Sequence, residues 1–260
     1  MSIVLAALDA TPTAQSVLEA ALRIGELTNS DVKAVHITTA DDQSVKLHTG
    51  PAHVPLRLLP GPLEPALLTA VEAPSVVAAV IGTKSAADDQ RLLGMTSRHV
   101  IERSTKPVVI VPPEFVPPVV FRRLLLPLEG TEATTRPVLE GLLPLLAADV
   151  ELIVVHVFTE STRPAMLDHP WRDLEILGKE FLSRHFPHQG ARIELRHGLV
   201  GTQVAEVCGE YGADLIVLSW SRDSTAGRAR AVRQILGAVK LPILLLPLRE
   251  GGSIEADLPH

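Results

Sequence analysis

At 260 residues with 46% apolar side chains, the chain has room for one large domain or two small ones and ample material for a core. Lys plus Arg number 24 against 30 Asp plus Glu, and the net charge of −6 divides evenly, −3 over residues 1–120 and −3 over residues 121–260. With no basic half and no polybasic run, nucleic acid is not an expected partner, and the single cysteine, Cys208, excludes an intrachain disulfide and a multi-cysteine zinc cluster.

The first apolar run, residues 3–8, reads as a strand ending at Asp9. Thr11 is then placed to cap a helix whose first residue is Pro12, and Val17, Leu18, Ala21, Leu22 and Leu27 supply its apolar stripe. Strands are expected near 32–37, 54–59, 75–81 and 108–111, with helices near 63–73 and 94–104. Pro112-Pro113-Glu114-Phe115-Val116-Pro117-Pro118 then packs four prolines into seven residues, which reads as a semi-rigid linker. Beyond it, strands are expected near 124–128, 150–157, 192–196, 213–219 and 243–246. No stretch approaches the ~18 apolar residues of a membrane span. The N-terminal run carries neither a basic flank nor a cleavage pattern, so a cytoplasmic chain with no membrane partner is expected. Aromatics make up only 3%, so the core is expected to be aliphatic.

The chain repeats itself. Residues 3–11 are echoed by residues 124–131, with Asp9 matched to Glu129, and Val35-His36-Ile37 by Val155-His156-Val157. Val80-Ile81-Gly82 matches Val217-Leu218-Ser219, and residues 106–112 match residues 241–247. Drifting offsets in a constant order indicate two copies with different insertions. Apolar strands alternating with helices imply a parallel sheet covered on both faces, so each copy reads as a doubly wound α/β domain. The boundaries are set at 1–112, a linker at 113–120, and 121–260. Between His156 and Gly198 the second copy carries the helical pattern of Trp171, Leu174, Ile176, Leu177, Phe181, Leu182 and Phe186. The first copy has only a short polar stretch there, residues 40–51, and is expected to lack that crossover helix.

Ligands of open α/β sheets bind outside the carboxyl ends of strands. In copy 1 those ends offer Asp9, Ile37 and Gly82-Thr83-Lys84-Ser85, followed by Gly94-Met95-Thr96 opening a helix. Glycines let backbone approach a phosphate, and a helix start supplies free N–H donors, to which Thr96 or Ser97 adds a hydroxyl and Lys84 a charge. The same features occur as ordinary turns, Asp9 in particular serving equally as a turn acceptor. His36 and His156 read as packed residues with a satisfied ring nitrogen.

On these residues both copies resemble universal stress protein domains, and the pair resembles the tandem form of that family. Its nucleotide-binding members carry a strand-end Asp, then Gly-x2-Gly-x9-Gly-Ser/Thr, then a last strand beginning near a Pro. Copy 1 presents Asp9, Gly82, Gly94 and Lys106-Pro107-Val108, but has Ser85 for the second Gly, a spacer one residue short, and Met95 for the Ser/Thr. Copy 2 departs further, with Glu129, Ser219, Arg222 and Arg230-Ala231 at the corresponding places. The resemblance implies two Rossmann-like, adenine nucleotide alpha-hydrolase-like domains in tandem. It implies a site for ATP or AMP, with magnesium as a further candidate, at Asp9, Thr11, Ile37, Gly82, Lys84, Ser85, Gly94, Met95 and Thr96. It also implies an intrachain pseudo-dimer through the last strands, near 108–111 and 243–246, with a homodimer of whole chains as a further expectation.

No His-Glu-x-x-His, Walker A loop, Gly-x-Ser-x-Gly or Gly-x-Gly-x-x-Gly pattern occurs. Arg222, Arg228, Arg230 and Arg233 form either an anion grip or a solvated basic helix face. The expected function is a non-enzymatic stress-response regulator binding nucleotide in the first copy only. The alternative is a nucleotide-free scaffold or protein-interaction module with both sites degenerate. An ATP-using enzyme requires a placed base, and only Asp88 and Asp89 lie near the candidate loop in sequence.

Overall fold

Eight of the ten strands are short runs rich in Val, Ile, Leu and Ala that bury side chains on both faces, and the helices between strands cover those faces. The edge strands Leu56–Pro60 and Ala191–His197 are partly exposed. The computed structural model describes residues 1–38, 54–83, 94–113, 115–128, 132–146, 150–159, 170–186, 191–220 and 227–248. The first half runs β1 (Ile3–Ala7), α1 (Thr13–Thr28), β2 (Asp31–Thr38), β3 (Leu56–Pro60), α2 (Leu63–Val71), β4 (Val76–Gly82), α3 (Met95–Arg103) and β5 (Val108–Val111). The second runs β6 (Arg123–Pro127), α4 (Glu132–Leu142), a 3-10 turn (Leu143–Leu145), β7 (Glu151–Phe158), α5 (Pro170–His185), β8 (Ala191–His197), α6 (Val200–Tyr211), β9 (Leu215–Trp220), α7 (Gly227–Ala238) and β10 (Ile243–Pro247). These match the strands and helices expected from sequence to within a few residues. The expected absence of a crossover helix in the first half falls on residues 39–53, outside the described residues; α5 is present where the second copy's apolar pattern places it.

All ten strands form one sheet in the order β3-β2-β1-β4-β5-β10-β9-β6-β7-β8. Within each half the pairing is parallel. Between the halves β5 and β10 pair antiparallel, with Ile110 opposite Ile243, Val109 opposite Leu244 and Val108 opposite Leu245. That register sets the two cores. Val109, Val111, Leu244 and Leu246 point to the face covered by α1 and α4, while Val108, Ile110, Ile243 and Leu245 point to the face covered by α2, α3, α6 and α7. Both apolar layers therefore run unbroken from one half into the other.

Two sequence expectations are corrected here. Pro12, not Thr11, occupies the N-cap of α1, and no side chain caps the helix; the Thr11 hydroxyl turns back to Asp9 instead. With its hydroxyl taken by Asp9, Thr11 leaves the cap to Pro12, which has no N–H of its own to satisfy. The proline-rich segment is more than a spacer, because Phe115 and Phe121 are buried in the α1/α4 layer with ring centroids 6.3 Å apart. Arg23 of α1 also donates from Nε to the Pro118 carbonyl at 3.1 Å. Proline sets the chain's stiffness, but the two aromatics fix where it lies.

The junction of α2, α3 and β5 hangs on Glu72. Its Oε1 accepts from Ser104 Oγ at 2.9 Å and from Thr105 N at 2.8 Å, and its Oε2 accepts from Thr105 Oγ1 at 2.5 Å. Burial alone would raise the Glu72 pKa, but the bonds from Thr105 and Ser104, with the charge of Lys106, outweigh it and hold the carboxyl below its ordinary value of 4.5. A carboxyl depressed on folding stabilises the native state above its unfolded pKa and loses that contribution as pH falls through the folded value. Acid titration of thermal stability should therefore show a loss setting in below about pH 4.5 that Glu72→Gln lacks. At pH 7 that variant should be less stable by about 1 kcal/mol, the group being half-buried and partly screened by solvent.

Candidate functional site

In an open sheet of this winding the crevice forms where successive connections leave on opposite sides, at the carboxyl ends of neighbouring strands. In the first half that point lies between β1 and β4, with β2 on the far side of β1. The structure brings Asp9, Ile37, Gly82 and the start of α3 to this one edge. Because β5 and β10 are antiparallel, the corresponding crevice of the second half, between β6 and β9, opens on the opposite edge of the sheet.

Asp9 follows β1 at the surface, and its Oδ1 accepts both Thr11 N at 3.0 Å and Thr11 Oγ1 at 2.6 Å. This is a turn that aims the carboxylate, so Thr11 positions Asp9 and spends its hydroxyl doing so. The approach to Asp9 is fixed from beneath by His36, buried in β2, whose Nδ1 lies 2.8 Å from the Leu8 carbonyl. A carbonyl only accepts, so Nδ1 carries the proton. His156 repeats the contact in the second half, with Nδ1 2.9 Å from the Leu128 carbonyl. The sequence reading of both histidines as satisfied packing residues agrees with this geometry at Nδ1. Ile37 is buried in β2 and pairs with Leu59 of β3.

Gly82 ends β4, but its missing side chain faces inward. A Cβ there would lie 3.0 Å from Thr13 Cγ2 and 3.1 Å from Val17 Cγ2. The glycine lets α1 approach the sheet, a packing role that the sequence did not show. Its carbonyl accepts the hydroxyl of Ser97, buried in the first turn of α3, at 3.0 Å. Ser97 is thus committed to joining α3 to β4 and is not a free ligand hydroxyl. Gly94 is the N-cap of α3 in an extended conformation, φ −62° and ψ 160°, with no side-chain cap bond. The first helical bond runs from Arg98 N to the Gly94 carbonyl at 3.0 Å. The N–H groups of Met95 and Thr96 precede it, so they have no carbonyl within the helix. The Met95 side chain is 76% exposed, and that of Thr96 is half-buried. Lys84 and Ser85 lie outside the described residues, as do Asp88, Asp89, Glu129 and Arg222; so do the side chains of Arg228 and Arg230.

Strand pairing supports the sequence alignment of the two crevices. Gly82 pairs with Val111 as Ser219 pairs with Leu246, which makes Ser219 the counterpart of Gly82. Sequence reasoning missed the next residue. Trp220 is buried, and its indole Nε1 donates to the carbonyl of Ile101 in α3 of the other half at 3.2 Å. Its place directly after Ser219 was the available signal, but its partner lies 119 residues away. Cys208 is buried, and burial pushes its thiol up to about 12, which suits packing and not nucleophilic chemistry. Among the described residues no three His, Cys, Asp or Glu side chains gather as metal ligands, and no helix is long and apolar enough to cross a membrane. A cleft of about 450 Å³, lined by Arg136, Glu140, Leu143, Pro144, Arg184 and His185, lies between the carboxyl-terminal parts of α4 and α5. Crossover helices run back to the start of the next strand, so this cleft is at the sheet edge opposite to the second half's crevice.

The role of Gly82 is testable by filling its space. Gly82→Ala should lower stability by about 1–3 kcal/mol through crowding of α1. Thr13→Ser, which removes the methyl 3.0 Å away, should recover part of that loss in the double variant on thermal melting.

Residues 121–245 match the model of the universal stress protein family. No curated protein matches the chain by sequence. Among solved structures, a universal stress protein from Archaeoglobus fulgidus superposes with a TM-score of 0.65 at 14% identity, over 95% of this chain and 97% of that one. A protein of unknown function from Pseudomonas aeruginosa PAO1 superposes with a TM-score of 0.67 at 11% identity, over 95% and 93%. The second half of the chain is therefore a universal stress protein domain, and the first half repeats its fold.

Proposed function

We propose that the chain is a non-catalytic regulator of the stress response that holds one adenine nucleotide, ATP or AMP, at the strand-end crevice of its first half. The observation that carries this is the convergence of Asp9, Ile37 and the uncapped start of α3 on both sides of the β1/β4 switch point. A carboxylate has about four lone-pair positions, so Asp9 keeps acceptors for adenine or ribose after bonding Thr11. The backbone at Ile37 lines the adenine side. Gly94 and the N–H groups of Met95 and Thr96 face the phosphates, with favourable charge from the helix dipole. Lys84 and Ser85 follow Gly82 closely enough in sequence to join them. A bound magnesium would be carried by the nucleotide's own phosphates, since the described residues supply no cage for it.

The second half is read as empty. Glu129 reaches one methylene further than Asp9, and Arg222 and Arg230 stand where the family's loop has glycines. Charge without a backbone cradle gives weak, salt-sensitive binding. For turnover, a base would have to sit beside the phosphates, and the sequence supplies none in a recognisable pairing. A cytoplasmic setting and pairing of whole chains into a homodimer complete the proposal.

The scaffold reading has its own support. Gly82 is accounted for by packing against Thr13 and Val17, and Met95 stands exposed where a phosphate-binding hydroxyl is expected. Calorimetric titration with ATP and AMP at physiological salt separates the two. The expected result is one site per chain, weakened about tenfold in Asp9→Ala by loss of a charge-assisted hydrogen bond worth about 1.5 kcal/mol. ATP hydrolysis should stay below ~1 per second. No binding favours the scaffold, and two sites per chain overturn the asymmetry.

A further inference from the structure

We infer that Trp220 couples the first half's crevice to the second half, with α3 as the connecting rod; this rests on the nucleotide reading above. The helix is nine residues long, about 13 Å, with one end in each half's territory. Its amino-terminal end belongs to the crevice: Gly94 caps it and Ser97 ties it to Gly82. Its carboxyl-terminal end meets the other half. The carbonyls of the last turn need partners from outside the helix. Val100 O takes Ser104 N at 2.7 Å, and Thr105 N is committed to Glu72, so the Ile101 carbonyl takes the indole N–H of Trp220 instead. A residue of the second half thereby completes a helix of the first.

Trp220 is the last residue of β9 and adjoins Ser219, the counterpart of Gly82. Its carbonyl accepts Leu248 N at 2.8 Å, which fixes the backbone on which the indole is mounted. The ring lies in the same apolar layer as Val100, Ile101 and Ile110. A packed helix moves as a body, so an anion drawn to the Met95 and Thr96 N–H groups displaces the Ile101 carbonyl against the indole. By linkage, removing the indole N–H must change nucleotide affinity by the same coupling.

The chain has two tryptophans, Trp220 and Trp171, the latter in the sequence of α5, a helix that lies against the edge strand β8. Uniform 5-fluorotryptophan labelling of the full chain gives two fluorine resonances, assigned with Trp171→Phe and requiring no change at Trp220. Calorimetry with ATP reports binding, and the resonances report coupling. We expect saturating ATP to shift the Trp220 resonance and leave that of Trp171 in place. Trp220→Phe, checked for folding by its melting curve, should change the ATP Kd threefold or more. Calorimetric binding with an unmoved Trp220 resonance, or with an unchanged Kd in Trp220→Phe, overturns the coupling and leaves the nucleotide reading standing. Absence of calorimetric binding overturns both.

Discussion

The structure depends on one short antiparallel pairing, β5 with β10. Every other strand contact in the sheet is parallel and internal to one half. Each half ends on a strand whose side chains are apolar on both faces, Val108–Val111 in one and the Ile243–Leu246 run in the other. Left unpaired, either would be an exposed edge inviting association with another chain. Pairing them within the chain removes both edges and merges the two apolar layers. The outer edges that remain are β3 and β8. On β8, Arg192 is ion-paired to Glu151, and Arg196 to Glu194 and Glu210, which leaves a charged border unsuited to further strand addition.

The same pairing dictates the geometry of any function. Antiparallel joining sends the two crevices to opposite edges of one sheet, so the halves cannot share a ligand across a common mouth. They can share structure. The Trp220 indole completes a helix of the first half, while Phe115 and Phe121 bury the connecting segment in the α1/α4 layer. Divergence between the halves then has a physical reading. The first crevice has an aimed carboxylate and an uncapped helix start, and the strands of the second half support it across the shared sheet.

Much of the fold was legible in the sequence because its signals are local. Uninterrupted Val, Ile and Leu runs announced the buried parallel strands, and the repeated His36 and His156 anchored the alignment of the two copies. Gly61 and Gly198 occupy equivalent turns in the two halves, and both adopt positive φ, 138° and 134°, a conformation that side chains other than glycine rarely tolerate. What stayed hidden depends on partners distant in sequence. The packing role of Gly82 was hidden because the chain alone does not reveal that Thr13 and Val17 fill the space beside it. Thr11 looked like a helix cap because the pull of the Asp9 carboxylate on its hydroxyl competes with the helix for the same group. Nothing local to Trp220 points to a carbonyl in the other half.

The central claim is that the β5–β10 ladder makes the two halves one cooperative unit. Native-state hydrogen exchange of the amides at residues 108–110 and 243–245 tests it most directly. The account predicts that these amides are among the slowest in the chain and exchange only through global unfolding, with the strands of both halves opening at the same free energy. Exchange at these positions that is faster than in β1 and β6, or separate opening free energies for the two halves, would contradict it.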